Sequence, residues 1–213
     1  MATAPKFQEI EEGSVDQIGD DISGIKDLSV YEESLLHRKI LVNGFINQNI
    51  IENIYMRMNL MMAADAETPI TVIINSGGGN LYETLFIRDF IISCPTPVVT
   101  IGTAYCFSSA FVLFEAGHVR RCFPSTVFML HDAKAGAGDE MDISTIKSYV
   151  KLLDGYENDL IDWFASRSNG TVKKATIKRK IRTDREWYIG AKEAVKLGFV
   201  DEVVGPGNNE EVW

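Results

Sequence analysis

Three apolar runs in this chain each end in residues that carry chemistry. Residues 73–79, Ile-Ile-Asn-Ser-Gly-Gly-Gly, pass from a strand into a glycine loop. Residues 98–111, Val-Val-Thr-Ile-Gly-Thr-Ala-Tyr-Cys-Phe-Ser-Ser-Ala-Phe, deliver Ser108 to the start of a further apolar segment, and residues 127–131 end a strand at His131. Strands of one parallel sheet finish on the same edge, where α/β active sites lie. A fold that aligns these runs gathers a nucleophile, a base and backbone N–H donors in one place. Three consecutive glycines leave the backbone unscreened, so its N–H groups can face a ligand oxygen, either an oxyanion or a phosphate. A Walker loop requires Lys followed by Ser or Thr soon after the glycines, whereas Asn80-Leu81-Tyr82-Glu83 follows here. The phosphate reading therefore loses.

The hydrophobic pattern alternates strand with helix. Lys39 to Gly44 reads as a strand and turn, and Ile46, Ile50, Ile51, Ile54, Met58 and Met61 then recur at helical spacing. Pro69–Ile74 is a second strand, Leu81 to about Ser93 a helix, and Pro97–Thr103 a third strand. Phe107–Ala116 reads as a buried helix stopped by Gly117, and Thr126–Leu130 as a fourth strand. Such alternation is the signature of a parallel sheet with crossover helices. Beyond the loop at 132–139, a long helix carries a stripe of Ile143, Ile146, Val150, Leu153, Leu160 and Phe164, widened by Tyr149, Tyr156 and Trp163. A stripe of this length is expected to project and pack on another subunit. The basic stretch 173–185 is expected to be a solvated helix face. Ala191–Gly198 reads as a short helix and Phe199–Val204 as a final strand.

Composition excludes several classes. A net charge of -9 and pI near 4.9 oppose general nucleic-acid binding, which needs a positive surface. Much of the excess lies in residues 1–27, with seven acids against Lys6 and Lys26. Those residues are expected to be a flexible acidic arm, residues 28–204 the folded domain, and 205–213 a polar tail. Neither a signal-like segment at the start nor an apolar run of membrane-spanning length is seen, so the expectation is a soluble, cytoplasmic protein. Cys94, Cys106 and Cys122 lack paired spacing and read as reduced core thiols. His37, His118 and His131 have no metal-binding spacing, and no cofactor is expected.

Taken in order, these residues resemble the proteolytic subunit of the caseinolytic (Clp) protease, the ClpP family, over about residues 28–204. Ile74-Asn75-Ser76-Gly77-Gly78-Gly79 matches the family's Ile-Asn-Ser-Pro-Gly-Gly, with Gly77 in place of proline. Residues 100–108 match its passage from strand to serine, Ala116-Gly117 the end of its next helix, and Met129-Leu130-His131 its Met-Ile-His. Residues 191–201 resemble its closing Ala-x-Glu-Ala-x-x-x-Gly-x-x-Asp. Two positions depart mildly: Ala104 stands where a glycine is usual and Ser109 where a methionine is.

The resemblance implies an α/β fold of the ClpP/crotonase type, with repeated ββα units, a parallel sheet core and a projecting handle helix. It implies a serine endopeptidase in heptameric or tetradecameric rings, fed unfolded chains by a Clp-type AAA+ ATP-driven unfoldase. Ser108 would be the nucleophile and His131 the general base, with the N–H groups of Gly78 and Ser109 as the oxyanion hole. A gapless register back from Asp201 puts Arg182 where the family has its catalytic aspartate, so Asp184 is the nearest candidate for the third triad member. Cys106 is an alternative nucleophile by chemistry, read here as core. Two further readings stand beside the peptidase. One is a catalytically impaired ring subunit, favoured by Arg182; the other is a phage head-maturation protease. An acyl-CoA enzyme of the crotonase type does not need the Ser-His pair.

Overall fold

The computed structural model describes residues 31–132 and 142–205 of the 213-residue chain. It divides into two units, Met1–His37 and Arg38–Trp213. In the first, residues 31–36 form a helical segment, α1, and Glu33 pairs with His37 at 3.2 Å on the surface. The acidic arm expected at 1–27 lies outside the described residues, as do residues 206–213 of the tail. Everything below concerns the second unit.

Seven strands make one sheet: β1 (Lys39–Asn43), β2 (Ile70–Ser76), β3 (Val98–Phe107), β4 (Val119–Cys122), β5 (Val127–His131), β6 (Glu186–Gly190) and β7 (Glu202–Val203). The order β1-β2-β3-β4-β7 is parallel throughout. Six helices join the strands: α2 (Gln48–Ala64), α3 (Leu81–Ser93), α4 (Ser109–Glu115), α5 (Ile143–Arg167), α6 (Lys174–Thr183) and α7 (Ala191–Lys196). The sequence pattern ends the third strand at Thr103, but β3 continues to Phe107 and forks the sheet. Its first half, Val99–Gly102, pairs with β4, and its last residues, Tyr105–Phe107, pair with β5. Gly102 sits at the fork, where its carbonyl accepts from the Thr126 hydroxyl at 2.9 Å. A Cβ there would stand 3.2 Å from the Thr126 methyl.

Two strands were not legible in the hydrophobic pattern. β6 runs antiparallel to β5, pairing His131 with Glu186 and Leu130 with Trp187. β4 reads Val-Arg-Arg-Cys, a poor strand by composition, yet Arg120 within it is 3% exposed. Its guanidinium meets Glu115 at 2.6 Å and Asp201 at 2.6 Å, and its backbone N–H donates to Asp201 at 2.8 Å. A buried cation is tolerable only when paired and hydrogen-bonded in this way. The same contacts explain Asp201, the last residue of the closing motif: it fastens the turn before β7 onto β4.

The core centres on α4, all seven residues of which are buried. Phe111 packs on Phe128, Phe164 and Phe199 at ring separations of 4.8, 5.0 and 5.6 Å. Burying each ring stabilises the fold by about 1.5–3 kcal/mol. Strand β5, helix α4 and the second half of α5 are thereby locked together, and two of these elements carry the residues expected to do the chemistry.

Candidate active site

The end of β3 delivers Ser108 into an unusual backbone conformation, φ 56° and ψ -125°. A non-glycine residue pays about 1–3 kcal/mol for such a geometry and keeps it only where its surroundings enforce it. Here the N–H of Ser108 is held by the Met129 carbonyl at 2.8 Å, and its own carbonyl accepts from Phe111 N at 2.9 Å. Its hydroxyl makes no capping bond to α4. The side chain is therefore turned away from the helix it precedes and is free to face β5.

There it meets His131. Nε2 of His131 lies 2.8 Å from Ser108 Oγ, and Nδ1 faces the main-chain carbonyl of Asp132. A carbonyl can only accept, so Nδ1 carries the hydrogen and Nε2 presents its lone pair to the serine hydroxyl. That is the tautomer a general base requires.

The glycine loop packs on the same elbow. A bulge between Ile74 and Ser76 shifts the register of β2 against β3, so that Ser76 pairs with Cys106 at the start of the loop. Gly78 has φ +95°, and a Cβ on it would lie 2.7 Å from the Phe107 carbonyl and 2.9 Å from Ser108 Cβ. Gly79 is required for a different reason: a Cβ there would strike the Ile46 carbonyl at 2.1 Å. Gly77 has open space, its nearest neighbour being Tyr105 at 4.0 Å. The Gly78 N–H donates to Ser76 Oγ at 3.1 Å, and that hydroxyl donates to the Gly44 carbonyl at 2.5 Å. Ser109, the first residue of α4, has an N–H that no helical carbonyl can reach.

Four of the five residues expected at the site thus come together: Ser108, His131, Gly78 and Ser109. Asp184 does not join them among the described contacts. It caps the C-terminus of α6, where its carboxylate pairs with Lys180 at 3.1 Å on a half-exposed surface. Arg182, at the position that the gapless register gives to the acid, instead donates to Glu157 Oε1 at 3.2 Å. Cys106 is fully buried, with its sulfur 3.5 Å from the Ile74 carbonyl, and burial pushes the thiol well above its usual range. It offers no thiolate to a substrate.

A cleft of about 520 Å³ opens beside Ser108 and His131. Its wall is largely apolar, with Val112, Leu153 and Ile161 among the lining residues, and Glu157 stands in it. Sequence reasoning passed over Glu157. The signal was present, because a carboxylate falls between Leu153 and Leu160 on the apolar stripe of α5. Among the described residues no cluster of potential ligands could hold a metal ion, and no helix is long and apolar enough to cross a membrane.

Comparison with known proteins agrees with this architecture. A family model described as Clp protease matches residues 23–207. The "ATP-dependent Clp protease proteolytic subunit 2" of Gluconobacter oxydans is 30% identical over 173 residues, which cover 78% of this chain and 74% of that protein. The protein of the same description from Pseudomonas aeruginosa is 25% identical over 191 residues, covering 89% and 92%. A solved structure of a ClpP1 mutant from Listeria monocytogenes shares the fold, with a TM-score of 0.70 at 24% identity over 82% of this chain and 95% of that one. The chain belongs to the Clp protease family.

Proposed function

We propose that this chain is a serine endopeptidase subunit of a ring-shaped, ATP-dependent Clp-type protease, cleaving peptide bonds of unfolded proteins. The observation that carries this reading is the 2.8 Å approach of Ser108 Oγ to His131 Nε2, made from a strained elbow whose hydroxyl has no structural duty. Ser108 attacks the scissile carbonyl as His131 takes its proton, and the imidazolium returns that proton to the leaving amine. The Asp132 carbonyl holds Nδ1–H throughout, in the place of a carboxylate. Ser109 N–H and, once released from Ser76, Gly78 N–H stabilise the oxyanion, each such donor contributing about 3 kcal/mol.

Assembly and partner follow from the family and from surface chemistry. The first half of α5 leaves Ile143 72%, Val150 56% and Leu152 48% exposed, whereas Ile161 and Phe164 further along are buried. An uncovered apolar stripe on a projecting helix suits a subunit contact, consistent with stacked rings. The sequence has no Walker-type loop after its glycines, so ATP hydrolysis belongs to an AAA+ unfoldase partner, in the cytoplasm.

A second reading, a catalytically impaired ring subunit, is favoured by the Gly78 N–H being engaged by Ser76 and by Arg182 standing in the register of the family acid. Labelling with a fluorophosphonate probe followed by peptide mapping separates the two. Modification of Ser108 supports the peptidase; a folded, assembled protein that takes no label supports the structural subunit.

A further inference from the structure

One acid interrupts the apolar wall of the Ser108 cleft. Glu157 lies on α5 one turn from Leu153 and one turn from Ile161, so its carboxylate occupies the inward stripe, and its side chain is only 14% exposed. Tyr82 and Tyr149 line the same cleft. The Tyr82 ring stands edge-on to Tyr156 at 5.5 Å. A largely buried carboxylate in a cleft that tyrosine rings also line suits an organic cation, which can gain both the ion pair and the attraction of a ring face.

The site already holds one cation from within. Arg182 reaches Glu157 from the rim at 3.2 Å, with 52% of its own side chain exposed. A guanidinium so exposed can return to water with little loss, because ion pairs at the surface are weak. Two neighbouring cations of α6 are engaged elsewhere, Lys178 with Asn158 at 3.2 Å and Lys180 with Asp184 at 3.1 Å. The apolar wall formed by Leu153, Ile161 and Ile177 suits the methylene stem of a long basic side chain.

We propose that Glu157, with Tyr82 and Tyr149, makes the cleft selective for a lysine or arginine side chain flanking the bond that Ser108 attacks, the substrate's cation displacing Arg182. The proposal rests on the peptidase reading for its reaction but not for its recognition. Arg182 is then an internal competitor, and the two members of the pair have opposite effects: Glu157 binds the substrate and Arg182 opposes it.

The test uses the full chain carrying Ser108→Ala and fluorescein-labelled peptides that differ at one position, occupied by lysine, norleucine or glutamate. Norleucine keeps the stem of lysine without its charge. The expected result is that the lysine peptide binds about tenfold more tightly than the norleucine peptide, the preference weakening with salt. Glu157→Gln abolishes the preference, and Arg182→Gln enlarges it several-fold; circular dichroism and the melting temperature verify that both variants fold. A pair with only a structural role would move both variants in the same direction, and that result overturns the proposal. So does norleucine binding as tightly as lysine. Cleavage mapping with the Ser108 protein separates this inference from the peptidase reading. Probe labelling with cuts flanking norleucine rather than lysine sinks the specificity and leaves the peptidase, whereas lysine-selective binding without labelling sinks the peptidase and leaves the specificity.

Discussion

His131 Nε2 stands 2.8 Å from Ser108 Oγ across 23 residues of sequence, joined by no covalent neighbour but by the pairing of β5 with the last residues of β3. The bond from Ser108 N to the Met129 carbonyl, at 2.8 Å, sets the distance between the two elements that carry them. Consequences for activity and stability follow from this arrangement and from the contacts around it.

Replacing the proposed nucleophile is expected to remove probe labelling and peptide hydrolysis. Ser108→Ala is expected to lower kcat/KM to background while leaving the melting temperature unchanged or raised, since alanine loses no capping bond. Cys106→Ala retains most activity, because its thiol is buried and held protonated. Labelling that survives Ser108→Ala and disappears with Cys106→Ala would reverse the assignment.

Asp184→Asn is expected to change kcat/KM by no more than about twofold, the effect of losing a surface ion pair with Lys180. A fall of several orders of magnitude would show that the α6–β6 turn rearranges to bring this acid to the imidazole during turnover.

The glycine loop divides into a tolerant and two intolerant positions. Gly77→Ala has room and is expected to leave stability within about 0.5 kcal/mol of wild type. Gly78→Ala forces both a left-handed φ and a contact of 2.7 Å with the Phe107 carbonyl, a cost of about 1–3 kcal/mol. Activity suffers further, because the elbow itself must shift. Denaturant melts and kcat/KM on the two variants check the contrast.

Charging the exposed half of α5 is expected to break up the assembly without unfolding the subunit. Ile143→Lys with Val150→Lys places two cations on side chains that are 72% and 56% exposed in the single chain. Light scattering should show a smaller particle with an unchanged circular dichroism spectrum. A wild-type protein that is monomeric at micromolar concentration contradicts the ring proposal outright.

Glu115 carries a pH signature. Burial raises its carboxyl from 4.5 to about 8, overriding the stabilising pull of Arg120. The folded state then holds a proton that the unfolded state releases between these two values, so this group's contribution to stability is full below 4.5 and is lost as the pH rises through about 8. Glu115→Gln cannot lose that contribution by ionising. The melting temperature of wild type minus that of Glu115→Gln should therefore be smaller at a pH near 8.5 than near 6; a difference that stays constant would mean the carboxylate is already ionised at pH 6 and held by Arg120 and Arg167.

Much of this was written in local patterns. The apolar runs into Gly77–Gly79, Ser108 and His131, and the alternation of strands with helices, require only side-chain periodicity and turn chemistry. They place three chemical groups at strand ends and so at one sheet edge. Local pattern missed β4, since two arginines in four residues do not look like a strand until Arg120 is seen to be buried and hydrogen-bonded to Glu115 and Asp201. It also missed β6, whose partner β5 lies more than fifty residues earlier and whose five residues follow directly on a basic helix.

What the sequence determined by itself was the set of groups and the edge on which they meet. What faces the imidazole Nδ1, and what fills the cleft wall, were decided by tertiary structure, because these depend on how the elements pack against one another. Asp184 is two residues from the register of the family acid, yet the end of α6 directs it to Lys180, while Arg182 pairs with Glu157, which lines the same cleft as Ser108. Spacing along a chain fixes neighbours on one element; the distance between side chains on different elements is set by the packing of the core that lies between them.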